Sequence, residues 1–151
     1  MSKAIYFDMD GTIVDFYGVS GWLTYLEDYD ATPYRIAKAR INLASFAKLI
    51  HKLQAQGFHI GIISWLSKTS SPFFDKEVIA AKEKWLAQHL PSVSFDEIRI
   101  VPYGTPKSKS VIFPTGYLID DELANRQEWR GLAFDVFCIN EVLKSILKWE
   151  K

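Results

Sequence analysis

Three short apolar runs, each stopping at a polar residue, constrain this chain more than any other feature. Ile5-Tyr6-Phe7 runs into Asp8, Ile60-Gly61-Ile62-Ile63 into Ser64, and Tyr117-Leu118-Ile119 into Asp120-Asp121. Such runs read as buried strands rather than helices. Helical periodicity lies between them. Over 42–56 it falls on Leu43, Phe46, Leu49, Ile50 and Leu53 and is closed by Gly57. A second helix opens on Ser71-Pro72, an N-cap and a first helical position, and passes Val78, Ile79, Trp85 and Leu86 to end near His89. Strands at 3–8, 58–63, 97–101, 117–119 and 133–137, with a last helix over 141–149, predict an α/β fold with a largely parallel sheet. Acidic and hydroxyl groups at carboxyl ends of strands mark the place where open α/β sheets bind ligands.

At 151 residues the chain reads as one domain, 1–151. Its 48% hydrophobic and 24% charged residues are ordinary for a globular protein, and no apolar run approaches the roughly 20 residues of a membrane span. The start enters a strand without the basic stretch and long apolar region of a secretory signal, which predicts a cytoplasmic protein. Basic and acidic residues balance at 18 each, so the chain as a whole offers long nucleic acid no attraction, and a small anion needs only a local positive site. The lone Cys138 lies in the apolar run 134–139, which predicts a buried thiol. His51, His59 and His89 lack metal-ligand spacing.

Asp8 and Asp10 lie in Asp8-Met9-Asp10-Gly11-Thr12. Residues two apart share a strand face, so both carboxylates are expected to point the same way while Met9 enters the core. Two anions that close either retain a proton or recruit a hard cation with oxygen ligands, ordinarily Mg²⁺. Asp120 and Asp121 would join them if their strands are neighbours, or else cap a helix over 122–130. Gly11 permits a sharp turn, and its amide and that of Thr12 are placed to face phosphate oxygens. Lys107 and Lys109, in Gly104-Thr105-Pro106-Lys107-Ser108-Lys109, offer a cation for a phosphate. Ser64 offers a hydroxyl, although serine at a strand end commonly serves a turn.

In these residues the chain resembles the haloacid dehalogenase superfamily of phosphotransferases. The D-x-D-G-T motif is Asp8 to Thr12, followed in family order by a strand-ending Ser64, by Lys107 or Lys109, and by Asp120-Asp121. The resemblance implies a Rossmann-like fold whose five-stranded, mainly parallel sheet has the order 5-4-1-2-3 and is flanked by helices. It implies Asp8 as nucleophile and Asp10 as acid and base. Mg²⁺ would be held by Asp8, Asp120 and the Asp10 carbonyl, with Asp121 as a further ligand, and Ser64 and one lysine would clamp the phosphoryl group. Lys107 directly follows the Gly-Thr-Pro turn, whereas the spacing of Lys109 to Asp120 is closer to that of the nucleotidases. The stretches 8–16, Lys84-Trp85-Leu86 and Leu118-Ile119-Asp120-Asp121 look most like the 5'(3')-deoxyribonucleotidase group and its phage and bacterial relatives. That likeness implies a nucleoside monophosphate substrate, bound by Thr12, Phe16, Ser64 and Lys107.

A small cap insert is expected at about 15–41, with Trp22, Leu23, Tyr25, Leu26 and Tyr29 on one face of a short helix beginning near Gly21. The other readings open at this stage are a phosphatase of polynucleotide ends or other phosphomonoesters, and a non-enzymatic phosphate-binding or phosphoaspartate signalling module.

Overall fold

The structure is a computed structural model that describes residues 3–150. Its first strand, β1 (Ala4–Phe7), is buried along its whole length. After it come β2 (Val14–Asp15), α1 (Trp22–Glu27), α2 (Thr32–Ile36), β3 (Lys38–Ala39), α3 (Leu43–Ala55), β4 (His59–Trp65) and α4 (Pro72–His89). The rest of the chain forms β5 (Glu97–Val101), β6 (Tyr117–Ile119), α5 (Leu123–Glu128), β7 (Ala133–Phe134) and α6 (Ile139–Trp149).

The main sheet has the order β5-β4-β1-β6-β7, and every pairing in it is parallel. Counting only its own strands, this is the expected order. Both faces are covered, so β1, β6 and the middle of β4 carry uninterrupted apolar residues rather than an alternating pattern. Register decides where the polar ends fall. Phe7 stands beside Ile62 on one side and Ile119 on the other, so Asp8 and Asp120 emerge next to each other. Gly61 is required where β4 passes Tyr6, because a Cβ there would lie 2.6 Å from the tyrosine ring. The Tyr6 hydroxyl crosses over to donate to Glu97 at 2.6 Å.

The two long helices begin as their sequences dictate. Asn42 Oδ1 accepts from the Ser45 amide at 3.0 Å, and Ser71 Oγ accepts from the Phe74 amide at 3.1 Å ahead of Pro72. Each such cap is worth about 1 kcal/mol. On α4 the buried face holds Phe74, Val78, Ala81, Trp85 and Leu86, and with them a lysine, Lys82.

Three expectations change. The fifth strand ends at Phe134, because the Asp135 side chain takes the Val136 amide at 2.7 Å and turns the chain out of the sheet. Cys138 therefore caps α6 as an exposed residue and is not buried. Strand β4 runs on to Trp65 through pairing with Val101, so Ser64 lies inside the strand rather than after it. Within the insert, β2 and β3 pair antiparallel and α1 and α2 lie between them. Helix α1 buries Leu26, while Leu23 and Tyr29 are exposed; Tyr29 follows the helix with a φ of 53°. Among the described residues no helix is long and apolar enough to cross a membrane.

Candidate active site

The backbone of Asp8 is fixed by its amide, which donates to the Ile119 carbonyl at 3.0 Å and carries the β1–β6 ladder one residue further. The chain then coils tightly. The Met9 carbonyl accepts from the amides of Thr12, Ile13 and Val14 at 3.0, 3.1 and 3.0 Å, and the Gly11 amide donates to the Val14 carbonyl at 2.9 Å. The amides of Gly11 and Thr12, expected to face a phosphate, are thus consumed by the turn. Thr12 is fully buried and turns inward, its hydroxyl donating to Asp8 Oδ2 at 3.0 Å. Gly11 has a φ of 79°, and a Cβ there would run into the Asp121 carboxylate. Only glycine lets the two approach.

Asp8 Oδ1 accepts from Lys107 Nζ at 3.0 Å, and the same ammonium donates to Asp120 Oδ2 at 2.6 Å. Lys107 opens a single 3₁₀ turn, Lys107–Lys109, whose geometry is held from α5: Glu128 accepts from both the amide and the hydroxyl of Ser108. The Lys107 ammonium also lies 5.5 Å from the centre of the Trp65 ring, and Trp65 Nε1 donates to Thr105 O at 2.8 Å in the preceding loop. Lys107 is buried against Asp8 and Asp120, whereas Lys109 is exposed. Burial works to lower the Lys107 pKa, but the charges of Asp8 and Asp120 outweigh it and hold the ammonium above its usual range.

Asp120 is fully buried and tied down on every side. It accepts from Lys107, from Asn125 Nδ2 at 3.2 Å and from the Glu122 amide at 2.9 Å. Burial first, and then the charge of Asp8, push its pKa up to about 6. The same two causes push Asp121 up to about 8. Carboxylate oxygens of Asp8, Asp120 and Asp121 all lie within 4.8 Å of one another. Ionised, the three carry three negative charges against the one positive charge of Lys107. The remaining two match a divalent cation, and an all-oxygen donor set suits a hard one such as Mg²⁺.

The Asp10 carboxylate is not in this cluster. The strand ends at Phe7, so the two-residue alternation that would align Asp8 with Asp10 no longer holds; both line the same cavity, but each has its own lysine. Lys82 donates to Asp10 Oδ2 at 3.0 Å, to Ser64 Oγ at 2.6 Å and to the Trp65 carbonyl at 2.8 Å. Burial, opposed by the charge of Lys82, leaves the Asp10 pKa above its ordinary value. Ser64 is fully buried and does not line the cavity, because its strand position turns its side chain toward α4 and Lys82. Sequence reasoning missed Lys82. It also missed Asn125, Glu128 and the aromatic residues Tyr34, Trp65 and Tyr103.

The cavity above these groups has a volume of about 300 Å³. Carboxylates and Lys107 form its floor, while Tyr17, Trp22, Tyr34, Trp65 and Tyr103 contribute to its walls. Phe16 also lines it but is only 2% exposed and packs on Tyr17, Trp22 and Tyr34. Tyr17 and Tyr103, each 51% exposed, are the most exposed aromatic residues of the lining, with Trp22 and Trp65 half-buried beside them.

No family model matches the sequence, and no curated protein does. Solved structures match the fold. The D,D-heptose 1,7-bisphosphate phosphatase from Burkholderia thailandensis is similar with a TM-score of 0.60 at 15% identity, over 97% of this chain and 99% of that one. A D,D-heptose 1,7-bisphosphate phosphatase from B. bronchiseptica, complexed with magnesium and phosphate, is similar with a TM-score of 0.59 at 12% identity, over 99% of each chain. The fold is shared along nearly the whole length of these chains.

Proposed function

We propose that the chain is a Mg²⁺-dependent phosphomonoesterase of the haloacid dehalogenase superfamily, with Asp8 as its nucleophile. One observation carries this reading: the Asp8 carboxylate is oriented by Lys107 and Thr12 at the floor of a cavity, beside two further carboxylates whose charge calls for a divalent cation. Its support from outside the chain is the fold shared with two phosphatases, one of them complexed with magnesium and phosphate.

The residues fit the chemistry. An Asp8 oxygen attacks phosphorus, the P–O bond to the leaving group breaks, and Asp10 gives its proton to the departing oxygen. Burial, opposed by the charge of Lys82, raises the Asp10 pKa, the direction that favours carrying that proton. Water then attacks the aspartyl phosphate, Asp10 takes a proton from it, and inorganic phosphate leaves with Asp8 restored. Lys107 stabilises negative charge on the transferring group, the kind of electrostatic contribution that dominates such reactions. Mg²⁺, held by Asp8, Asp120 and Asp121, would offset the repulsion between the nucleophile and the phosphoryl oxygens. Ser64 serves through Lys82 and Asp10 rather than by touching the substrate.

The preferred substrate class is the nucleoside monophosphate. Aromatic walls above the carboxylate floor favour a leaving group that carries a planar ring. Among the described residues lining the cavity, Lys68 is the one exposed cation, and Glu122 stands as an exposed anion, so a second phosphate would be poorly met. The small cap formed by the insert over residues 14–39 supplies Tyr17, Trp22 and Tyr34 to these walls. Phosphate release measured with Mg²⁺ over nucleoside monophosphates, sugar bisphosphates and 5'-phosphorylated oligonucleotides tests the proposal. Nucleoside monophosphates should give the highest kcat/KM, with Asp8→Asn at background throughout. A preference for the bisphosphates would overturn the substrate class, and nucleotide binding without turnover would make the chain a binding module.

A further inference from the structure

Lys82 does not line the cavity, yet it is tightly constrained beside Asp10. It is 1% exposed, and its ammonium has three protons for three acceptors: Asp10 Oδ2 at 3.0 Å, Ser64 Oγ at 2.6 Å and the Trp65 carbonyl at 2.8 Å. A lysine so saturated has no proton left for a substrate. The ring of Tyr34 lies 5.1 Å from its nitrogen, and Trp85, one turn further along α4, donates from Nε1 to the Ala37 carbonyl at 2.8 Å. The ammonium is therefore held by acceptors on β4 and on the turn after β1, with the Tyr34 ring of the insert beside it.

We propose that Lys82 is a positioning residue for Asp10. By holding Oδ2 it decides which carboxylate oxygen is left to act: Oδ1, which has no hydrogen-bond partner among the described residues, on a side chain that lines the cavity and is 17% exposed. The proton that Asp10 gives to the leaving oxygen is carried on Oδ1, and Lys82 keeps its own three throughout. Ser64 completes the arrangement. Its hydroxyl oxygen accepts from Lys82, which fixes the third direction of the ammonium and explains a polar residue inside a buried strand. A carboxylate on a turn, without this hold, would rotate about its terminal bond and present either oxygen. The cation also stands opposite the carboxylate rather than beside the substrate, so its contribution is to orientation.

This inference rests on the phosphomonoesterase reading, and the test separates the two. A nucleoside 5'-monophosphate releases an alkoxide that needs a proton, whereas p-nitrophenyl phosphate releases a phenolate that is stable as an anion. The ratio kcat/KM reports events only up to release of the leaving group, so it isolates proton donation by Asp10 from later hydrolysis of the aspartyl phosphate. Wild type, Lys82→Met and Lys82→Arg are compared on both substrates, with folding checked by circular dichroism.

Lys82→Met should lower kcat/KM for the nucleotide by on the order of 10²-fold, the usual scale of general acid catalysis, and for p-nitrophenyl phosphate by less than about tenfold. Lys82→Arg keeps the charge but presents its donors in a planar fork rather than a tetrahedron, so it should show the same skew in smaller measure. If Lys82→Met does not fold, the arginine variant alone decides. Equal losses on the two substrates, in whichever variant folds, would reduce Lys82 to a structural lysine. A wild type that hydrolyses neither substrate would instead refute the phosphatase reading.

Discussion

Two buried lysines, each committed to a carboxylate and each lying against an aromatic ring, serve the two halves of the D-x-D motif in different ways. Lys107 comes from a short turn between strands, bridges Asp8 and Asp120, and lines the cavity. Lys82 comes from the middle of a five-turn helix, bonds Asp10, and does not line it. A lysine that must meet changing charge on a substrate stands where the substrate arrives. One that must hold a neighbour still can be sealed behind it. Neither position is tolerable for an unpaired ammonium, since burying a charge without partners costs several kcal/mol, and in both cases the partners are the carboxylates to which we assign the chemistry.

The comparison yields a largest effect at Lys107. Lys107→Met should lower kcat/KM by about 10³-fold on any substrate, leaving group notwithstanding, because it removes a charge that acts on the phosphoryl group itself. Lys109→Met, two residues along and exposed, should stay within about twofold. Steady-state kinetics on the pair would break the distinction if the two losses were equal. A smaller effect is expected at Glu128, which does not line the cavity but accepts two bonds from Ser108. Glu128→Ala loosens the turn that aims Lys107 and should cost on the order of tenfold in kcat/KM. A variant indistinguishable from wild type would show that the turn holds its shape without α5.

The smallest effect concerns stability. In the metal-free protein burial, and then the charge of Asp8, push Asp121 up to about 8 and Asp120 up to about 6. The folded chain thus retains protons that the unfolded chain, with aspartates near 3.9, has already released. Their stabilising contribution is complete below about pH 4 and fades as pH rises, ending for Asp120 near 6 and for Asp121 near 8. Melting temperature without metal should therefore fall over this window. Added Mg²⁺ should raise it more at about pH 8 than at about pH 5, since the ligands must lose their protons to bind. Thermal shifts of equal size at the two values would mean that these carboxylates do not hold the cation.

The floor of the site was legible in the sequence because strand ends announce themselves. Asp8 and Asp120 each follow an apolar run, and parallel register brings neighbouring ends together. What alternation could not show is where a strand stops. With β1 ending at Phe7 and β4 continuing to Trp65, Asp10 left the face assigned to it and Ser64 stayed inside the sheet. Lys82 was hidden for another reason, since a lysine in an amphipathic helix ordinarily reads as solvated. Its signal was positional: four residues after Val78 and three before Trp85, it sits within the apolar stripe. The insert gave least, because strands of two residues and helices of five and six are too short for periodicity to resolve.

The central claim is that Asp8 accepts the phosphoryl group beside Mg²⁺, and beryllofluoride, which mimics a phosphoryl group on an aspartate, tests it without knowledge of the substrate. Fluorine NMR of the protein with beryllofluoride and Mg²⁺ should show a bound resonance that disappears in Asp8→Ala and when Mg²⁺ is chelated. A bound resonance of equal intensity in Asp8→Ala, or none in the wild type, would contradict the account.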